Sequence, residues 1–212
     1  MSKTLLEIHE DVPADHYDRG IKDNIFQRIW HSTRFREIEK VTSQIDGPIL
    51  DIGCHSGTFT NKIVELTNSK DIYGIDISGE SIDVIKKRIP FGHFEVVDAQ
   101  DKIPFKDEFF GAVYCLEVLE HVDHPDKVLD EIYRCLKPGG VCVILVPSES
   151  KLFKIVWLIW TLIFPVWRHA HVQEFSGNRL ESALVDHGFR ITSTNKFNLG
   201  MLKLIVCQKN ER

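Results

Sequence analysis

The sequence ILDIGCHSGT, residues 49–58, decides the fold of this chain. Apolar residues lead into Asp51, a turn that contains Gly53 and Gly57 follows, and a helical pattern begins at Ser56. This order predicts a strand, a tight turn and a helix. Such a junction exposes backbone N–H groups and leaves room for a ligand to lie against the main chain. Considered alone, this glycine turn could instead serve only the packing of the protein and bind no ligand.

The segments that follow predict an α/β domain. Short strand patterns at 71–77, 93–97, 109–115 and 141–146 alternate with helical patterns at 78–88 and 125–136. Strands and helices that alternate at this spacing form a parallel sheet. Strands that are apolar along their whole length indicate helices on both faces of the sheet. The last two predicted strands, 189–196 and 201–208, are joined by a short link, so at least one of them should run antiparallel.

We expect one domain at 22–212, after a flexible lead-in at 1–21 that is polar and acidic and has no apolar signal core. The net charge of -5 argues against a nucleic-acid partner. The five cysteines form no C-x-x-C pair, and the histidines form no H-E-x-x-H motif. Buried, reduced thiols in a cytoplasmic protein are therefore expected, with no metal site.

Three acids stand at the carboxyl ends of predicted strands, namely Asp51, Asp76 and Asp98. Ligands of an open parallel sheet bind beyond these ends. A carboxylate after the second strand suits the two hydroxyls of a ribose, and Asp98 lies where an adenine amino group could donate to it. The third glycine of the dinucleotide fingerprint is missing. A cofactor with a ribose and an adenine but no pyrophosphate is therefore favoured over the alternative, a nucleotide-dependent oxidoreductase.

Several motifs in register resemble the class I S-adenosylmethionine-dependent methyltransferases, and the type 11 methyltransferases among them. The resemblance covers about residues 45–146 and is carried by ILDIGC at 49–54, GIDIS at 74–78, Asp98-Ala99 and LKPGG at 136–140. It implies a Rossmann-like sheet of seven strands, mostly parallel with an antiparallel C-terminal strand. It also implies S-adenosyl-L-methionine as the cofactor.

The same resemblance implies which residues hold the methionine end of the cofactor. Asp51, Gly53 and Gly57 would line it, and Leu116 would offer a backbone contact near the amine. Arg34 stands about where related O-methyltransferases have an arginine for the cofactor carboxylate, a pairing that a guanidinium suits. The alternative for Arg34 is a solvated position on a helix.

The resemblance also implies contacts to the nucleoside end. Asp76 would bind the ribose hydroxyls, and Ile77 would pack beside the adenine. Asp98 would accept from the adenine amino group while Ala99 donates a backbone N–H. His55 stands where the family usually has glycine, and we interpret it as a tolerated surface substitution.

The segment CLEVLEHV at 115–122 resembles one in the ubiquinone-pathway O-methyltransferases, where two glutamates and a histidine are associated with a divalent metal. Carried over, these would be Glu117, Glu120 and His121. Similar stretches occur widely in related methyltransferases without a metal, so we assign none. His121 titrates near neutral pH and is a candidate base, although it could equally serve only to shape the loop. His171 is a second candidate base.

An apolar stretch at 152–167 lies in a predicted acceptor-side insertion at 148–175. It contains three of the four tryptophans, has basic residues on both sides and is too short to span a bilayer. It could be a core helix or dimer face, the wall of a pocket for a hydrophobic acceptor, or a peripheral membrane contact. We therefore expect a methyltransferase for a small or lipid-like acceptor, with O-methylation of a phenol or another hydroxyl as the specific hypothesis. The alternative is a non-catalytic S-adenosylmethionine-binding partner or activator subunit.

Overall fold

The computed structural model describes residues 16–42, 45–163 and 172–211. The helices are α1 (His16–Asp23), α2 (Ile25–Val41), α3 (Thr58–Thr67), α4 (Gly79–Arg88), α5 (Pro125–Cys135), α6 (Lys151–Ile163) and α7 (Arg179–Asp186). The strands are β1 (Ile49–Ile52), β2 (Ile72–Asp76), β3 (His93–Val96), β4 (Phe110–Leu116), β5 (Leu136–Pro147), β6 (Phe189–Phe197) and β7 (Leu202–Lys209).

The strands form one sheet in the order β3-β2-β1-β4-β5-β7-β6. The strands from β3 to β5 pair in parallel, while β7 pairs antiparallel with both β5 and β6. The predicted α/β sheet with an antiparallel C-terminal strand is therefore confirmed. The strand order reverses between β1 and β4, and a sheet of this kind binds its ligand at such a point.

Helices cover both faces of the sheet, as predicted. On one face, Ile38 of α2, Ile63 of α3 and Ile85 of α4 belong to one buried apolar cluster. On the other, Ile132 of α5 and Leu184 of α7 belong to a second cluster. Strands buried between two helical layers explain the long apolar runs in the sequence. All five cysteines are buried and free, in agreement with the expected reduced thiols.

One local prediction was wrong. The sequence places the fifth strand at 141–146, but β5 already begins at Leu136. Residues 137–140 bulge out between Leu136 and Val141, which pair with Phe110 and Ala112 of β4. Bulges of this kind are compatible with glycine, and Gly139 has a φ of 74°.

The N-terminal segment is helical where it is described. Helix α1 begins at His16, inside the stretch 1–21 that was expected to be a flexible lead-in, whereas residues 1–15 lie outside the described ranges. Asp18 of this helix accepts a hydrogen bond from Thr58 Oγ1 over 3.1 Å and forms an ion pair with Arg88 of α4. These contacts hold α1 beside the N-terminus of α3.

Candidate active site

The turn after β1 brings the backbone close to the loop after β4. Gly53 has a φ of 71°, and a Cβ at this position would lie 2.3 Å from Val118 Cγ2. The N–H groups of Gly53 and Cys54 both donate to Ile75 O of β2, over 2.8 and 3.1 Å. Gly57 has a φ of 85°, and a Cβ there would lie 2.6 Å from Ile85 Cγ1. Both glycines are therefore required by backbone conformation and by close packing.

Asp51 is a buried acid at the end of β1. Its Oδ2 accepts a hydrogen bond from Thr60 Oγ1 over 2.6 Å. The pKa of Asp51 is raised to about 7, chiefly by burial and also by the nearby charge of Asp76, against the lowering effect of the Thr60 hydroxyl. A cation placed beside this carboxyl would favour its ionised form. The geometry therefore leaves Asp51 able to pair with a cationic group of a ligand.

Asp76, at the end of β2, is oriented by two backbone groups. Its Oδ2 accepts from the N–H of His55 over 2.8 Å, and its Oδ1 accepts from the N–H of Ser78 over 2.9 Å. Each carboxylate oxygen has a further lone pair, so the group can still accept from the two hydroxyls of a ribose.

His55 is not the surface substitution that we expected. Its φ is 45°, a conformation that glycine adopts more easily, and this conformation directs its N–H at Asp76. The ring is half-buried and contributes to the cavity wall, with Nδ1 3.2 Å from Ser56 Oγ. The sequence motif showed where the residue departs from the family but gave no information on the direction of its side chain.

A cavity of about 100 Å³, which we name the strand-end cavity, lies beyond the carboxyl ends of β1, β2 and β4. Of the predicted cofactor-binding residues, all except Gly57 line it, namely Arg34, Asp51, Gly53, Asp76, Ile77, Asp98, Ala99 and Leu116. Thr58, directly after Gly57, also lines the cavity. The structure thus brings together the residues that the sequence singled out, while their contacts to a cofactor stay a prediction.

Arg34 of α2 reaches this cavity but already has partners in the protein. Its guanidinium forms an ion pair with Glu117 and lies 3.2 Å from Nδ1 of His31 and 4.9 Å from the ring centroid of Phe59. It is buried, so it is not the solvated arginine of the alternative interpretation. Any cofactor carboxylate at Arg34 would have to share the guanidinium with Glu117.

A second cavity of about 290 Å³, which we name the apolar cavity, lies between α2 and α6. Helix α2 contributes aromatic side chains such as Trp30, and α6 contributes Phe153, Trp157 and Trp160. The rings of Phe153 and Trp157 stack with centroids 5.9 Å apart. Arg34, Glu117 and His121 line both cavities, so the two meet at these three residues.

Glu120 is a second acid of the apolar cavity, besides Glu117, and the sequence assigned it no role. It is buried, and no hydrogen-bond partner for its Oε2 is found in the described part of the chain. The pKa of this carboxyl is raised to about 8, chiefly by burial and also by the repulsion of Glu149, although a backbone hydrogen bond and Arg34 act to lower it. At neutral pH the group is therefore mostly neutral and can donate one hydrogen bond into the cavity.

The loop that carries these residues is a turn. The N–H of His121 donates to Val118 O over 2.9 Å, and Glu117 has a φ of 58°. Glu117 pairs with Arg34, whereas Glu120 is buried beside the apolar cavity. Among the described residues, no group of three or more His, Cys, Asp or Glu side chains is placed to hold a metal ion. His171, the other candidate base, lies outside the described residues.

Sequence reasoning missed His31, Phe26 and Trp30, which line the apolar cavity. Apolar residues recur at helical spacing in residues 22–44 of the sequence, but an apolar position on a helix does not reveal whether it faces a core or a cavity. His31 lies three residues before Arg34, on the same side of the helix. That spacing was the available signal.

Comparison with known proteins gives the class of this fold and site. Residues 21–194 match the family described as "Methyltransferase domain", and the chain belongs to this family. It is a class I S-adenosylmethionine-dependent methyltransferase by family, and the predicted cofactor is that of the family.

Two relatives illustrate its place in the family. The chain is 28% identical over 154 residues to a mouse protein, "Ubiquinone biosynthesis O-methyltransferase, mitochondrial", a match that covers 68% of this chain and 41% of that protein. It is 26% identical over 214 residues to a demethylmenaquinone methyltransferase of Lactobacillus johnsonii, covering 88% of this chain and 85% of that enzyme. The chain thus spans less than half of the mouse protein but most of the bacterial one.

Solved structures share the fold. A chain from the complex between the Haloferax volcanii Trm112 methyltransferase activator and a methyltransferase superposes with a TM-score of 0.78 at 19% identity, covering 100% of both chains. A geranyl diphosphate C-methyltransferase from Streptomyces coelicolor, solved with Mg²⁺, geranyl diphosphate and S-adenosyl-L-homocysteine, superposes with a TM-score of 0.70 at 16% identity. That match covers 92% of this chain and 83% of that enzyme. At these identities the likeness concerns the fold alone.

Proposed function

We propose that this chain transfers the methyl group of S-adenosylmethionine to a hydroxyl oxygen of a small apolar or lipid-like acceptor, such as a substituted phenol. The observation that carries the proposal is the meeting of two cavities at His121, of which the strand-end cavity is the richer in acids and the apolar cavity the richer in aromatic side chains. The strand-end cavity is lined by acids and glycine turns, and the apolar cavity is lined mainly by aromatic and aliphatic side chains. A methyl donor and an apolar acceptor held in them would approach each other at this residue.

S-adenosylmethionine, when bound, supplies a methyl group that its sulfonium has already activated for displacement. The chain's part is to align the two reactants and to accept the proton of the acceptor hydroxyl. His121 is the residue at the junction that can take this proton near neutral pH. His121 would hold this proton while the methyl group passes from the sulfur to the acceptor oxygen.

Glu120 would orient the acceptor. A neutral carboxyl in an apolar wall costs free energy unless its O–H donates a hydrogen bond. Oε2 of Glu120 has no hydrogen-bond partner in the described chain. A phenol with a second oxygen substituent would provide one. The names of two relatives point to quinone biosynthesis, which agrees with a ring that carries several oxygens.

A non-catalytic role as an S-adenosylmethionine-binding partner or activator subunit is the alternative. The likeness to a chain solved in complex with the Trm112 activator suggests this alternative. At 19% identity, however, that likeness extends only to the fold. An intact set of acids at the strand ends and a base at the junction favour catalysis. Methyl transfer by the isolated chain separates the two roles.

The proposal is tested with S-adenosylmethionine labelled in its methyl group and a panel of phenols whose substituents range from polar to long and apolar. We expect labelled product with the apolar members. His121→Gln should lower kcat by about 100-fold, in the range that general base catalysis contributes. The control is His93→Gln, an exposed histidine on β3 away from both cavities. Absence of transfer by the native chain, or full activity of His121→Gln, contradicts the proposal.

A further inference from the structure

The outer side of α6 exposes an unusual amount of apolar surface. Its aliphatic side chains are 40–62% exposed, and they are Leu152, Ile155, Val156, Leu158, Ile159 and Leu162. Across the apolar cavity, Ile25, Phe26 and Ile29 of α2 are 55–80% exposed. We call these nine residues the outer apolar face. A surface of this kind normally marks an interaction site.

We infer that the outer apolar face docks the chain onto the surface of an anionic lipid bilayer, so that the acceptor enters the apolar cavity directly from the membrane. This inference rests on the apolar acceptor proposed above. Three observations favour a bilayer as the occupant: the course of α6, the charges around the face, and the position of the cavity mouth.

Helix α6 has the character of a helix that lies in a membrane interface. Its inner side chains, Phe153, Trp157 and Trp160, line the cavity, while its outer side chains are aliphatic. With thirteen residues it is about 20 Å long, shorter than the about 30 Å of a hydrocarbon core. Within the described ranges, no helix is long and apolar enough to cross a bilayer. A helix of this kind can bury one side among lipid head groups while its other side stays attached to the protein.

The charges around the face complement an anionic surface. The chain has 31 acidic residues and a net charge of -5, yet residues 24–36 and 150–163 contain no aspartate or glutamate. These two segments include both parts of the outer apolar face, and their charged residues are all basic, with Lys151 and Lys154 on α6. Lys154 also pairs with Glu174 over 2.8 Å, so Lys151 is the more available cation. Basic residues beside an apolar face strengthen binding to anionic lipids.

The cavity mouth distinguishes a bilayer from a protein partner. Phe26 and Val156 line the apolar cavity and are also exposed, so the wall of the cavity reaches the outer apolar face at these two residues. A second copy of the chain seated there would cover the opening. A bilayer would cover the same apolar surface and leave a continuous apolar route for the acceptor.

The test is sedimentation of the full chain with vesicles of phosphatidylcholine, with and without 30 mol% phosphatidylglycerol (a composition of about the anionic content of many membranes). The variant Leu158→Ser with Leu162→Ser changes two outer residues that do not line the cavity. The matched control is Val185→Ser with Leu199→Ser, two exposed apolar residues on α7 and in the β6–β7 link. We expect native chain and control to bind anionic vesicles, and the α6 variant to bind about tenfold less.

Two further measurements interpret the result. S-adenosyl-L-homocysteine binding by the α6 variant should equal that of the native chain, which shows that it is folded. Turnover of a short, water-soluble phenol without vesicles should also be unchanged, so failure of docking is distinguishable from failure of the proposed function. Equal vesicle binding by the α6 variant, or none by the native chain, overturns the inference. A dimer that dissociates in the α6 variant, without vesicle binding, assigns the face to a second copy instead.

Discussion

The strand-end cavity is built from β1, β2 and β4 and the turns that follow them, whereas the apolar cavity is built mainly from α2 and α6, which lie more than a hundred residues apart in the chain. In the first, the predicted cofactor-binding residues other than Arg34 lie at the end of a strand or in the segment that follows it. In the second, contributing residues are ordinary aromatic and aliphatic side chains. The difference indicates that the cofactor site is determined by local sequence and the acceptor site by tertiary assembly.

The largest expected effect concerns Asp76 in the strand-end cavity. Asp76→Ala removes the acceptor of the N–H groups of His55 and Ser78 as well as the proposed ribose contact. We expect S-adenosyl-L-homocysteine to bind at least about 100-fold more weakly in calorimetry, since the loss of a buried, hydrogen-bonded carboxylate costs several kcal/mol. Asp83→Ala, at an exposed position of α4, is the control. Unchanged affinity in Asp76→Ala would remove Asp76 from the cofactor site.

The corresponding change in the apolar cavity is at Glu120. Glu120→Leu removes the proposed hydrogen bond and should raise KM for a phenolic acceptor about 10- to 100-fold, the cost of leaving a buried polar group of the acceptor unpaired. Glu120→Gln keeps a donor and should stay within about threefold of the native KM. Steady-state kinetics with labelled cofactor measures both variants. Equal KM values for Leu and Gln at this position would show that Glu120 does not contact the acceptor.

A third prediction concerns the strand-end cavity and the pH dependence of ligand binding there. Because burial raises the pKa of Asp51 to about 7, this carboxyl is mostly protonated at pH 6 and mostly ionised at pH 8. The α-ammonium group of S-adenosyl-L-homocysteine, if it lies beside Asp51, prefers the ionised carboxylate, so the Kd of this ligand should rise by about tenfold from pH 8 to pH 6. Asp51→Asn should abolish this dependence. A native profile that is flat, or one that Asp51→Asn retains, contradicts the assignment.

The contrast between the two cavities also explains which site residues could be predicted from the sequence. Asp51, Asp76 and Asp98 could be found because acids at the ends of parallel strands meet at one edge of the sheet. The partner of Arg34 could not, because Glu117 lies 83 positions away and is directed by its φ of 58°. His55 was misinterpreted for a related reason, since a motif gives the position of a residue but not the direction of its side chain.

The apolar stretch at 152–167 shows the other limit. Composition left three interpretations open, and only the position of α6 showed that Trp157 and Trp160 line a cavity while its aliphatic residues stay exposed. The described part of this stretch therefore forms a cavity wall, and that wall exists because α6 packs across from α2. No local pattern contains that information.

The central claim is that the two cavities bind different molecules and meet at His121, and Trp160→Ala tests it most directly. Trp160 lines the apolar cavity only. Both quantities are measured on the same preparation of the Trp160→Ala variant. We expect its KM for an apolar phenol to be about fivefold above the native value, because apolar contact is lost. Its calorimetric Kd for S-adenosyl-L-homocysteine should stay within about twofold of the native value. An unchanged KM, or a Kd that weakens in parallel with it, would contradict the division into a cofactor cavity and an acceptor cavity.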